Sequence, residues 1–206
     1  MKKIIFSLLL LLLMLSVYSS GVMADGLIIG YKIRDSSEIN NKSYLTTEVD
    51  YELGPDYLMK ANAGMSGVIE DDPAGLIGEV NIYRKLNLDT GFNYYVGGGY
   101  DYHFDQKSQL MEGGKLSQNS LFISLLGANI QDKFSITSRI DYSPVGAYKY
   151  MDHRLKLMTT WKLGLNVNYR FTSNMKLLLG GEMGRENSEE FSSDITTYKI
   201  GLQWDI

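Results

Sequence analysis

Between Leu27 and Trp204 the side chains repeat with a period of two. Leu27, Ile29, Tyr31 and Ile33 alternate with Ile28, Gly30, Lys32 and Arg34. Leu45, Thr47, Val49, Tyr51 and Leu53 alternate with Thr46, Glu48, Asp50 and Glu52. The pattern returns over 92–104, 134–142 and 155–171, where Leu163, Leu165 and Val167 alternate with Lys162, Gly164 and Asn166. Successive side chains of a strand point to opposite faces, so each run makes a strand with one apolar and one polar face. No amphipathic helix of useful length interrupts them. Composition agrees: 3 Pro against 21 Gly and 15 Tyr suits long strands.

Ten strands are predicted, at roughly 26–35, 42–53, 57–66, 75–86, 91–105, 118–130, 133–142, 153–171, 174–186 and 194–206. The sixth, Leu121 to Ile130, is apolar on both faces, and its register stays open. Gly54-Pro55-Asp56, Asn87–Thr90, Gln131-Asp132 and Thr172-Ser173 read as tight turns. Longer polar connections fall at 36–41, 67–74, 106–117, 143–152 and 187–193, so short and long alternate, with both chain ends on the short side. An even strand count with short turns at one end and long loops at the other is the layout of a transmembrane β-barrel.

The apolar register carries no Asp, Glu, Lys or Arg in mid-strand. A charge facing lipid at the membrane midplane costs about 2–4 kcal/mol, so lipid demands this exclusion. A soluble barrel would place its apolar face inward and more Lys and Glu outside. Here the polar register is rich in Asn, Thr, Ser and Gly as well as charge. Tyr31, Tyr57, Tyr102, Tyr142, Tyr169 and Trp204 lie near strand ends, where interfacial aromatic belts form. The apolar register is therefore expected to face outward.

Before the first strand, Met1-Lys2-Lys3 precedes an apolar run from Ile4 to Leu15, and Val22-Met23-Ala24 fits a small-x-small cleavage site. Residues 1–24 read as a secretory signal and 25–206 as one barrel domain. Loss of Lys2 and Lys3 moves the net charge from -4 to about -6. With a pI of about 5.2, broad attraction to nucleic acid is excluded. The absence of Cys excludes disulfides, thiolate metal sites and a cysteine nucleophile. No cofactor is expected.

Together these features resemble the small outer-membrane β-barrel proteins of bacteria. The final run Tyr198, Ile200, Leu202, Trp204 and Ile206 resembles the C-terminal signal such proteins present to the barrel-assembly machinery, with Ile206 where Phe or Trp is usual. The resemblance implies an outer-membrane location, lipid around the barrel and the assembly machinery as a partner.

The inward register holds charges of both signs: Lys32, Arg34, Lys60, Arg139, Lys162 and Arg170 against Glu48, Asp50, Glu79, Asp101, Asp141 and Glu182. The signs interleave around the sheet. Ten strands enclose a lumen little wider than the eight-stranded kind that side chains fill. Buried charges must pair or stay hydrated. An ion-pair network that plugs the lumen is expected, and with it a scaffold presenting external loops. The alternative is a small passive channel.

Catalytic signals are sparse. Asp101 and His103 share an inward face, with Glu70-Asp71-Asp72 in the neighbouring loop. This resembles the Asp-x-His opposite paired aspartates of the omptin proteases, though the chain is shorter and Asp71-Asp72 lacks the intervening residue. A rim-located hydrolase is the third reading; the expectation is that the protein is not an enzyme. His153 has no serine two residues on, as the His-x-Ser of lipid A deacylases would require. Glu38, Asp105, Glu112, Glu186, Glu189 and Glu190 are read as loop acids able to bridge divalent cations, without the spacing of a dedicated site. Tyr148 and Tyr150 beside Lys149 are expected to form an exposed recognition surface.

The alternation makes a direct prediction. In liposomes, Leu163→Cys and Leu165→Cys react with a lipid-phase thiol probe, whereas Lys162→Cys and Gly164→Cys react with an aqueous one. Equal aqueous labelling at 162 and 163 would sink the barrel reading.

Overall fold

The computed structural model describes residues 26–36, 39–66, 75–88, 91–108, 114–150, 156–189 and 192–205. The signal segment, Glu70-Asp71-Asp72, His153 and Ile206 lie outside them. So do loop acids Glu38, Glu112 and Glu190, and the side chain of Tyr150.

Ten strands form: β1 Gly26–Ser36, β2 Ile39–Glu52, β3 Tyr57–Met65, β4 Gly75–Leu86, β5 Asn93–Ser108, β6 Gly114–Ile130, β7 Phe134–Tyr150, β8 Lys156–Arg170, β9 Met175–Ser188 and β10 Ser192–Trp204. Each pairs antiparallel with its chain neighbours, and β1 also pairs with β10, which closes the barrel. Closure leaves no sheet edge, so every strand has a ladder on both sides.

The register sets the stagger. A row of paired residues leaves β8 at Arg170 and runs through Lys176, Gln203, Ile28, Glu48 and Asn62. It continues through Glu79, Asp101, Ser120 and Gly146, and returns to β8 at Met158, twelve residues from its start. A shear of that size in ten strands corresponds to a tilt of about 40°. All members of the row belong to the inward register. One circuit of the wall therefore climbs the lumen from the end bearing both termini to the opposite, far end.

The outward register forms an apolar belt bounded by aromatics. Phe92, Phe134, Tyr169, Phe171 and Tyr57 ring the terminal end, and Tyr142, Trp161, Tyr198 and Tyr100 ring the other side, all exposed. Trp161 and Tyr169 are eight residues apart on β8, about 27 Å along a strand, or about 20 Å along the axis at this tilt. That is close to the roughly 25 Å apolar band of a membrane barrel. Arg84 is the outward charge within β4, and it sits beside Tyr57 at the terminal ring, where its guanidinium can reach polar surroundings.

The structure resolves the register of β6. Leu121 and Ile123 are 61% and 62% exposed, whereas Phe122 and Leu126 are 6% and 4% exposed. Phe122 and Leu126 thus project into the lumen. The sequence pattern could not show this, because an apolar side chain is acceptable on both faces when the lumen contains packed side chains.

Several expected loops prove to be strand. The links from β1 to β2, from β5 to β6, from β7 to β8 and from β9 to β10 span two, five, five and three residues. The terminal-end link from β4 to β5 spans six, so short and long connections do not alternate strictly. Above the lipid, a polar side chain no longer marks the end of a strand, because the backbone ladder continues regardless of what the side chains face. β7 therefore takes up residues 143–150 of the expected loop 143–152, with a bulge between Ser143 and Gly146, where Pro144 lacks an N–H to donate. Tyr148 is consequently buried, not exposed, and Lys149 is the residue of that run that faces out. Asp105 and Glu186 likewise lie on strands and are buried, not on loops.

Gly97 and Gly99 of β5 make room for neighbours on β4. A Cβ at Gly97 would lie 2.2 Å from the Ile82 carbonyl oxygen and 2.8 Å from Tyr83 Cδ1. One at Gly99 would lie 1.9 Å from Asn81 Oδ1. These glycines let inward-facing Tyr83 and Asn81 lie flat against the wall, both buried. Gly97→Ala is expected to destabilise the barrel by about 1–3 kcal/mol, as overpacking does. Gly78→Ala, whose new methyl would approach nothing nearer than 3.9 Å, should leave the urea midpoint unchanged. Trp161 and Trp204 fluorescence reports both.

Candidate functional site: the charged lumen

The lumen is polar because every second residue of each strand points into it, and the stagger arranges those residues in tiers. Near the terminal end, Asp205, just past β10, bonds Lys176 of β9 at 2.7 Å and Arg170 of β8 at 3.3 Å. Higher up, Lys60 of β3 bonds Asp50 of β2 at 2.7 Å and approaches Glu48 at 4.0 Å. Glu48 in turn pairs with Lys199 of β10.

The middle tier is organised by Arg139 of β7. Its guanidinium bonds Asp141 at 2.8 Å, Glu182 of β9 at 3.2 Å, and Glu79 of β4. One planar fork thus holds three carboxylates from three strands, a geometry a lysine cannot reproduce. Asp141 also accepts from Ser124 Oγ at 2.6 Å, and Glu79 accepts from the Asn81 amide at 2.5 Å. Lys162 of β8 bonds Asp101 of β5 at 2.6 Å, with its ammonium 4.7 Å from the centre of the Phe122 ring. The inward turn of Phe122 thus serves a cation.

The far tier joins five side chains in one network. Arg34 of β1 bonds Glu186 of β9 at 2.9 Å, and its other terminal nitrogen lies 2.9 Å from His103 Nδ1. His103 Nε2 is 3.1 Å from the Tyr44 hydroxyl, and Gln118 spans from His103 Nδ1 at 3.0 Å to Glu186 at 3.2 Å. Nδ1 cannot both accept from Arg34 and donate to Gln118, so the tautomer selects one of these two bonds. Beyond this cluster Lys42 pairs with Asp105, and Tyr148 and Leu116 are buried.

Eleven of the twelve charged residues expected in the lumen network therefore meet an opposite charge within ion-pair distance. Lys32 is the exception. Among the described residues no carboxylate lies within 4 Å of its ammonium, although Glu182 and Glu79 act on it at longer range. Arg170 belongs to the terminal rim rather than the interior, with a side chain 42% exposed.

The sequence pattern did not single out Tyr44, Lys42, Gln118, Asp105 or Glu186 as lumen residues. For Lys42 and Tyr44, which share the parity of Glu48 and Asp50, strand alternation alone could have found them, whereas Gln118 lies on the strand whose register the sequence left open. Asp101 and His103 share the inward face and engage separate partners: Asp101 bonds Lys162, while His103 meets Tyr44, Arg34 and Gln118. Among the described residues no group of three His, Asp or Glu could hold a metal ion.

Among the described residues, the cavities of the lumen shrink from the terminal end toward the His103 tier. About 370 Å³ opens at the terminal end between Asp50, Tyr95, Asn168 and Lys176. About 90 Å³ follows around Lys32, Glu79 and Lys199, then about 30 Å³ beside Tyr44 and Asp101. About 10 Å³ remains among His103, Gln118 and Glu186.

Arg139→Ala leaves three facing carboxylates without their shared cation. Such a loss costs about 3–5 kcal/mol in a dry site and less where water reaches it. A clear fall in the urea midpoint is expected, and Arg170→Ala at the exposed rim should change it little. Equal midpoints for the two variants would show that the middle tier is freely hydrated.

No protein-family model matches the chain, and no curated protein matches its sequence. Solved structures do match. The outer membrane protease OmpT from Escherichia coli is similar with a TM-score of 0.55 and 13% identity, over 91% of this chain and 99% of that one. An outer membrane channel from Pseudomonas putida F1 is similar with a TM-score of 0.51 and 10% identity, over 89% of this chain and 96% of that one. One is named a protease and the other a channel, so the likeness speaks for fold and not for activity. The chain has the fold of the bacterial outer-membrane β-barrel proteins.

Proposed function

We propose that the protein is a scaffold of the bacterial outer membrane, seated in lipid by its apolar belt, with its terminal end toward the periplasm and its lumen closed toward the outside. The observation that carries this reading is the narrowing of the lumen from about 370 Å³ to about 10 Å³, ending in the bonded tier of Arg34, His103, Gln118 and Glu186. A barrel closed in this way holds its far rim rigidly, and binding residues concentrate on loops positioned by such a scaffold. Assembly proceeds by presenting β10 to the barrel-assembly machinery, with Tyr198, Ile200 and Leu202 exposed along its outward face.

The protein is not a hydrolase on this reading. The His103 imidazole is 4% exposed, and both its nitrogens already have protein neighbours, so it offers no free nitrogen to a water molecule at the rim.

Purified protein in planar bilayers bathed in concentrated KCl should give no discrete conductance steps. Steady openings of the wild-type protein would replace the closed scaffold with an open channel.

A further inference from the structure

The cavities of the lumen are continuous in their lining. Glu48, Lys60 and Leu126 border both the terminal cavity and the next. Lys32, Asn62, Glu79, Glu182 and Thr197 border both the second and third. Arg34 and Asp101 border both the third and the last. Three buried acceptors beside this line, Asp50 Oδ1, Asn62 Oδ1 and Asn168 Oδ1, have no hydrogen-bond partner among the described residues, so the packing of the polar wall is incomplete there. Lys32 lines the second and third cavities with no carboxylate of the described residues within ion-pair distance. A polar line of adjoining cavities thus reaches from the terminal mouth to the far tier.

The barrier at the far end is made of side chains. Among the described residues no stretch of backbone folds into the lumen. Arg34 separates the last two cavities, and Tyr44, fully buried, stands beside it against His103. Beyond them, among the described residues, lie the Lys42–Asp105 pair and the buried side chains of Tyr148 and Leu116. Side chains change rotamer far faster and at less cost than strands leave a closed ladder. A plug of this kind can open without any change in the barrel.

We propose that the lumen is a gated path for small inorganic ions, held shut by the far tier built on Arg34, Tyr44 and Glu186. The inference goes beyond the closed scaffold and rests on its placement in the outer membrane. The three narrow cavities are lined by six cationic side chains and five carboxylates. Such a balanced lining gives no sustained field of one sign, so the path distinguishes poorly between cations and anions.

The experiment compares conductance of the wild-type barrel, the double variant Arg34→Ala/Tyr44→Ala, and a fourfold variant that adds Lys42→Ala and Tyr148→Ala. Heat-modifiable gel mobility first verifies that each has assembled. The wild type should be silent, and at least the fourfold variant should show discrete steps whose reversal potential stays near zero across a KCl gradient. An assembled fourfold variant that remains silent overturns the proposal, because the barrier then lies lower in the lumen. Wild type and variants that conduct equally also overturn it, and in that case the closed-scaffold reading fails as well. A silent wild type with a silent variant leaves that reading standing and removes only the gate. Should the fourfold protein not assemble, Tyr44→Ala alone carries the test by the same criteria.

Discussion

Hydrocarbon offers no hydrogen-bond partner to a peptide group, and every other property of this barrel depends on that fact. Each strand must pair on both sides, so β1 must find β10. Once ten tilted strands close with a stagger of twelve residues, the position of every side chain relative to the axis is set by its row and its parity. Parity decides whether a residue meets lipid or lumen. Row decides at which height it does so.

The lumen chemistry follows from these two assignments. Arg139, Glu79 and Glu182 come from three different strands and meet because the stagger brings them to one level. Arg34 and Glu186, 152 residues apart, meet for the same reason at the far end. Each ion pair also ties distant strands together across the lumen, so the charges that lipid excludes from the outer face become internal struts. Their pairing satisfies most buried charge, and the cavities between them leave room for water where pairing is incomplete, as at Lys32 and Asn62.

The lumen is asymmetric along its axis. Toward the terminal end the tiers are loosely packed and open, whereas toward the far end tyrosines 44 and 148, His103 and Gln118 fill the section. Charged pairs occur at both ends, and at the far end they are packed among these larger buried side chains. Among the described residues the narrowing is a property of side-chain packing, since no described stretch of backbone enters the lumen.

Period-two alternation, the mid-strand exclusion of charge from the apolar register and the spacing of turns were enough to read the ten strands, their outward faces and the inward charges from the chain itself. These are local properties, visible wherever one face must differ from the other. The register of β6 was not legible, since Phe122 and Leu125 are both apolar and only the neighbouring strands reveal which one faces Lys162. Nor were the true ends of β5, β7 and β9, since polar side chains above the lipid hide a ladder that continues beneath them. The partners of each charge, the far tier around His103 and the taper of the lumen were decided by tertiary structure alone. They depend on which residues share a level across the barrel, and that level is set by the stagger of the closed sheet, a sum over all ten registers that no single stretch of sequence contains.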